Sequence, residues 1–161
     1  MIEIKKAQPV DADPIWEILR ETIRGGNTFV YPESWTKEEM LGYWLDPAKH
    51  TYVAWMDSQI VGTFFIQDNQ PGRGSHIANA GYMTAPEHYG KGIARHMCRF
   101  SLAEARRLGY QAMQFNIVVK TNERAVALWQ HLGFRIIGEI PEAFQHKEFG
   151  LVNAYIMYQK L

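Results

Sequence analysis

Apolar and polar positions alternate in the opening stretch IEIKKA, which predicts a short first strand. The period then changes. Ile15, Leu19 and Ile23 recur at helical spacing, with Asp11 or Asp13 able to cap the start and Pro14 near the first turn. Gly25-Gly26 ends that helix. NTFVYPES reads as a loop carrying exposed aromatics, and Thr36 can cap a second short helix, KEEMLGYWL, which stops before Pro47. TYVAWM and QIVGTFFIQ are rich in β-branched and aromatic residues, and the turn-like pair Asp57-Ser58 between them predicts a hairpin. NQPGRGS is a loop, and HIANAGYMTA is a third β segment in this group.

Past the stretch YGKGIA, Ile93, Met97, Phe100 and Leu108 return to helical spacing, while Arg95, Arg99, Arg106 and Arg107 fall largely on other faces. QAMQFNIVV predicts a strand, NERAVALWQHL a helix ended by Gly133, and FRIIGEI another strand. EAFQHKEFG reads as a polar-aromatic loop before the final strand, NAYIMYQ. No repeat, low-complexity tract or linker interrupts the pattern, so residues 1–161 are expected to form a single mixed α/β domain.

Composition narrows the class. Apolar residues make up 47% and charged residues 21%, as in a folded globular protein. No apolar run approaches the ~20 residues that cross a bilayer, and MIEIKKAQPV lacks the apolar centre of a secretory signal. The lone Cys98 excludes an internal disulfide and suits a reducing cytoplasm. Seventeen basic and seventeen acidic residues cancel without a basic run, which argues against a nucleic-acid partner and against steering of polyamines or basic tails. Histidines 50, 76, 88, 96, 131 and 146 are scattered without metal-ligand spacing, so no metal is expected.

Chemistry concentrates at YGKGIA. A helix N-terminus carries unpaired backbone N–H groups and a partial positive charge, and glycine lets a phosphate reach them. A Walker loop is absent, and a dinucleotide fingerprint would need a third glycine where Arg95 stands. The spacing instead resembles the acetyl-CoA loop of the GCN5-related N-acetyltransferase (GNAT) superfamily, R/Q-x-x-G-x-G/A, over Tyr89, Gly90, Lys91, Gly92, Ile93 and Ala94. Tyr89 replaces the usual Arg or Gln, which removes one side-chain phosphate contact and leaves the backbone cradle. NERAVALWQHLGF resembles the second signature of that superfamily, at Asn122, Ala125, Leu128, Trp129, Gly133 and Phe134. Ala125 and Leu128 are expected on the inward face, with Gly133 at the C-terminal cap.

The resemblance implies an acyl-CoA N-acyltransferase fold: one mixed, mostly antiparallel sheet of about six or seven strands with about four helices, its central strands splayed. It implies acetyl-CoA as co-substrate, held by residues 89–94 with Arg95, Asn122 and Trp129. Backbone groups at Met83 and Thr84 would pair with the pantetheine arm, and an N–H near Met83 would polarise the thioester carbonyl. The amine then attacks directly, with Cys98 a buried structural thiol rather than a nucleophile. At pH 7 only about one lysine-like amine in 2,500 is neutral, yet the first splayed strand offers no carboxylate base. It carries Asn79 and Tyr82, and the second carries Asn116; the asparagines can hold a carboxylate, an amine or a water in line, or satisfy the backbone. Trp129 stands where many relatives place a tyrosine, as packing rather than as an acid. His146 is either an overhanging substrate contact or a solvated loop residue.

GGNTFVYPES is similar to the acceptor-lining loop of phosphinothricin-type acetyltransferases, which makes Phe29 and Tyr31 acceptor candidates. NAGYM and FNIV resemble fungal acetyltransferases acting on proline analogues. Both imply a small amino-acid-like acceptor. Protein N-terminal acetylation and a non-catalytic acyl-CoA-binding module are the alternatives. Superfamily relatives often pair, so a homodimer is in view.

Overall fold

A computed structural model describes residues 1–161. β1 (Glu3–Lys6) leads through a short turn of 3-10 helix into α1 (Ala12–Gly25), and α2 (Lys37–Trp44) follows. Asp11 precedes α1, but its carboxylate accepts from the Gln8 N–H rather than from the helix. Gly26, in the left-handed conformation at φ 66°, closes α1. Thr36 and Glu39 form a reciprocal capping box at the start of α2. β2 (His50–Met56) and β3 (Gln59–Asp68) then pair through Asp57-Ser58, both at positive φ, as a tight hairpin turn requires.

β4 (Ile77–Thr84) leads to α3 (Ile93–Arg107), β5 (Ala112–Val119), α4 (Glu123–His131), β6 (Arg135–His146) and β7 (Gly150–Lys160). The sheet order is β1-β2-β3-β4-β5-β7-β6, and every neighbouring pair is antiparallel except β4 with β5. That parallel pair is short. It consists of Ile77 opposite Ala112 and Ala78 opposite Met113, after which β4 and β5 run on without pairing. The central strands are therefore splayed.

Each face of the sheet is covered. Phe64, Tyr82, Met97, Leu102, Phe115 and Met157 belong to the core beneath α3. Ile15, Leu19, Met40, Trp44, Phe65 and Met83 form a second core under α1 and α2. Because side chains alternate along a strand, residues 79, 81 and 83 of β4 face α1 and α2, whereas 78, 80 and 82 face α3. No helix is long and apolar enough to cross a membrane.

Three sequence expectations change. The segment EAFQHKEFG is not a loop: β6 continues to His146, pairing Phe144 with Val152 and His146 with Gly150. A bulge with Glu142 at φ 50°, whose N–H donates to Asn153 Oδ1, absorbs the irregularity that Pro141 introduces. Val126 and Trp129 of α4, with Leu132 just past its end, pack on the core rather than Ala125 and Leu128. The aromatics of the α1–α2 loop are not exposed. Phe29 stacks on Tyr31, which packs against Trp35, Tyr43 and Trp44.

An ion pair within α3 is tied to the sheet through Tyr52 of β2. Glu104 accepts from Arg107 and from the Tyr52 hydroxyl at 2.7 Å, and the Arg107 hydrogen bonds hold its carboxyl down at about 2. A depressed acid stabilises the fold above its ordinary pKa, and that contribution fades as pH falls from 4.5 through about 2. Glu104→Gln is expected to cost about 1 kcal/mol at pH 7, discounted because Arg107 is solvated. In urea titrations, the gap to wild type should close as pH approaches 2.

Candidate active site

Gly90 and Gly92 sit at φ 81° and 79°, the left-handed region that other residues adopt at a cost. Gly92 immediately precedes α3 and has no side-chain cap. Around it, the backbone N–H groups of Gly90, Gly92, Ile93, Ala94 and Arg95 donate to no protein acceptor, while Lys91 N–H bonds His88 and His96 N–H bonds Gly92. A Cβ on Gly92 would meet nothing within 4 Å, so the surface above these amides is open. Tyr89, Gly90 and Lys91 are exposed, Ala94 is half-buried, and Ile93 points into the core. The arrangement is a cluster of free donors at the positive end of a helix, which fits a phosphate.

The split between β4 and β5 opens beside this loop. Hydrogen bonds at its ends set the parity of β4: Ala85 N–H donates to Val61, and Asn69 N–H donates to Ile77. In an unbulged antiparallel ladder, every second residue points its backbone the same way. Odd-numbered β4 residues therefore spend their N–H and C=O on β3, and even-numbered ones face the split. Met83 N–H is directed at β3, so it is not the group that polarises a thioester. That expectation moves by one residue, to the backbone of Tyr82 and Thr84. The cause is register, which the composition of the strand does not encode.

Tyr82 is also corrected as an acceptor contact. Its side chain lies under α3, where the hydroxyl shares a hydrogen bond with Ser101 and burial pushes its pKa up. Trp129 packs over Tyr82 and Phe115, with ring centroids 5.2 Å from each. Cys98 is buried beside Tyr82, and burial raises its thiol to about 12, so it stays neutral. Asn122 caps α4 by accepting from Ala125 N–H, and an Arg95 guanidinium nitrogen lies 3.2 Å from the His131 ring.

On the opposite face, a chain of amides crosses the mouth of the split. Gln67 donates to Asn79 Oδ1 at 3.3 Å, and Asn79 donates to the Gln114 carbonyl at 3.0 Å. Gln114 donates to Asn116 Oδ1 at 3.0 Å, and Asn116 donates to Asn69 Oδ1 at 2.7 Å. Asn79 thus clasps the two strands just where their pairing ends, which realises the backbone-satisfying role. Asn79 and Asn116 each spend one N–H and one oxygen lone pair within the chain, which leaves each with one donor and one acceptor to offer a ligand. Gln67, Gln114 and Asn69 escape a sequence reading because only the fold lines them up.

Phe29 and Tyr31 stand on the α1 and α2 side, against Tyr43 and Trp44. Burial raises the Tyr31 hydroxyl well above its ordinary value, so it is no base. Lys49 joins this wall unforeseen. Its ammonium lies 3.2 Å from the Tyr43 ring centre and donates to the Tyr43 carbonyl at 2.6 Å, and burial lowers its pKa to about 8. The β6–β7 turn reaches the same side, where Lys147 N–H donates to Gly26 and Lys147 Nζ to the Arg24 carbonyl. His146, at its base, is buried rather than solvated, and Nδ1 accepts from both Glu148 and Phe149 N–H. A neutral ring so held carries its proton on Nε2, and that nitrogen donates rather than accepts. No group of three or more His, Cys, Asp or Glu is arranged to hold a metal.

Comparison with known proteins agrees with this geometry. Residues 14–134 match the model of the Acetyltransferase (GNAT) family. The N-acetyltransferase aca1 of Schizosaccharomyces pombe is 40% identical over 105 residues, 65% of this chain and 50% of that protein, so the match spans half its length. A GCN5-related N-acetyltransferase from Kribbella flavida superposes with a TM-score of 0.96 at 37% identity, over 99% of this chain and 98% of that one. A GNAT superfamily phosphinothricin acetyltransferase from Sinorhizobium meliloti, solved with AcCoA, shares the fold at a TM-score of 0.88 and 19% identity, over 99% of this chain and 88% of that one. The glycine loop, the splayed strands and these matches converge: the chain belongs to the GNAT acetyltransferase family.

Proposed function

We propose that residues 1–161 act as one catalytic domain that moves the acetyl group of acetyl-CoA onto the primary or secondary amine of a small amino-acid-like acceptor. The observation that carries this reading is the set of free amides at Gly90, Gly92, Ile93, Ala94 and Arg95 beside an unpaired stretch of β4 and β5. Acetyl-CoA supplies an activated acyl carbon and a thiolate that can leave. The free amides bind its diphosphate, Tyr82 and Thr84 backbone groups meet the pantetheine arm as a missing strand would, and Trp129 packs against it. A backbone N–H of that pair stabilises charge developing on the carbonyl oxygen, and losing such a donor typically costs about 2.7–4 kcal/mol.

The acceptor approaches from the other face, between Phe29 and Tyr31 and the amide chain. Asn79 and Asn116 each keep one N–H and one oxygen lone pair there, able to hold the acceptor's carboxylate, its amine or a water. Neither can take a proton, so the amine reacts from its neutral fraction or through water. A cytoplasmic setting suits the lone buried Cys98, and a homodimer acting on a small molecule belongs to the same reading. Thiol release from acetyl-CoA across a panel of amino acids and their analogues tests it. Coenzyme binding with no turnover on any amine would favour the non-catalytic module, which the lack of a carboxylate base keeps in view. Asn116→Ala should raise KM for the acceptor about tenfold, the worth of one hydrogen bond to a charged group, with coenzyme affinity unchanged. A fall in coenzyme affinity alone would contradict the placement of Asn116.

A further inference from the structure

Tyr89 leaves the phosphate loop without the Arg or Gln that its motif ordinarily carries at that position. The phenol is exposed and has no charge to offer an anion. A cation nevertheless stands at the loop, supplied from a different element. Arg124 occupies the first turn of α4, and its guanidinium nitrogen reaches to 4.0 Å from where a Cβ on Gly90 would sit.

Within the folded chain this placement is unfavourable. A positive group in the first turn of a helix opposes the helix dipole. Here it also lies against the free amides that open α3, a second positive end. No carboxylate stands within ion-pair distance of Arg124 to offset either repulsion. Nearby cations are committed or directed otherwise: Arg95 is engaged with His131, and Lys91 is exposed on the loop itself. The free amides that open α3 and an unpaired guanidinium beside them become favourable together only when an anion arrives between them.

We infer that Arg124 replaces the missing loop cation and binds the diphosphate of coenzyme A from the α4 side. The assignment rests on the coenzyme reading above. A planar guanidinium suits this task because it can bridge two phosphate oxygens while the α3 amides hold the others.

Calorimetry with coenzyme A and with 3′-dephospho-coenzyme A tests the inference, on wild type, Arg124→Gln, and Arg124→Gln combined with Tyr89→Arg. Circular dichroism confirms that α4 persists in each. Arg124→Gln should lose about tenfold in affinity for both ligands, with a shallower dependence on salt. Tyr89→Arg in that background should recover most of the loss, because it restores a cation at the usual position. Unchanged affinity in Arg124→Gln overturns the inference. So does a loss confined to coenzyme A, which would put Arg124 on the 3′-phosphate. A wild-type protein that binds neither ligand overturns the coenzyme reading itself, and the inference with it.

Discussion

Gly92→Asp is expected to lower affinity for coenzyme A by at least about 100-fold while leaving the protein folded. A carboxylate close to a bound phosphate meets about 4 kcal/mol of repulsion at a separation of 4 Å in a surface-like dielectric. The fold tolerates the change for two reasons. A Cβ at Gly92 meets nothing within 4 Å, and aspartate is among the residues that accept the left-handed conformation seen there at φ 79°. Gly92→Ala separates the causes, since it carries the backbone strain without the charge and should lose far less affinity. Calorimetry gives the binding constants, and thermal melts verify that the variants fold. Coenzyme affinity equal to wild type in Gly92→Asp would remove the phosphate from this loop.

Gly62→Val should destabilise the protein by about 2–3 kcal/mol, the range expected for overfilling a packed core. Gly62 lies on β3 directly beneath α3. A Cβ there would stand 2.9 Å from Met97 Sδ and 3.0 Å from Ile93 Cγ2, and both side chains are fully buried. Met97 could bend away if it had space, but Ile93 is the first residue of α3 and carries the free amides with it. The substitution therefore couples stability to binding: coenzyme affinity should fall several-fold along with the urea midpoint, and Gly62→Ala should show a smaller version of both. A lowered midpoint with intact affinity would mean that the start of α3 is held by contacts other than β3.

Gly90 and Gly92 are legible as a bare-backbone helix start because they are neighbours in the chain, although only the second signature, from Asn122 to Phe134, sets a phosphate loop apart from a tight turn and cap. The Asp57-Ser58 hairpin and the Thr36 cap are legible for the same reason, since the residues that decide them are neighbours in the chain. The site itself depends on residues far apart in sequence. Whether Met83 or its neighbours face the split is a matter of strand parity, and parity is fixed by pairing with β3 rather than by anything in NAGYM. Asn79 shows the limit from another side. Its residue type suggests a ligand contact or a bond to the backbone, and only the fold shows that its amide reaches the Gln114 carbonyl across the gap. In the last third of the chain, Pro141 and the charged residues around it suggest a loop, yet pairing with β7 carries β6 through to His146. Local propensity yields there to the ladder with the next strand of the same hairpin. Lys49 and Arg124 were invisible as functional candidates, because a lone cation in a polar stretch carries no mark of the rings or amides it will meet.

Backbone amide resonances followed during titration with coenzyme A give the most direct test of how this chain grips its co-substrate. The N–H signals of Gly90, Gly92, Ile93, Ala94 and Arg95 should move most as the complex fills, with Tyr82 and Thr84 following along the pantetheine arm. Saturable binding that leaves those loop signals in place, with the largest changes elsewhere, would contradict the account.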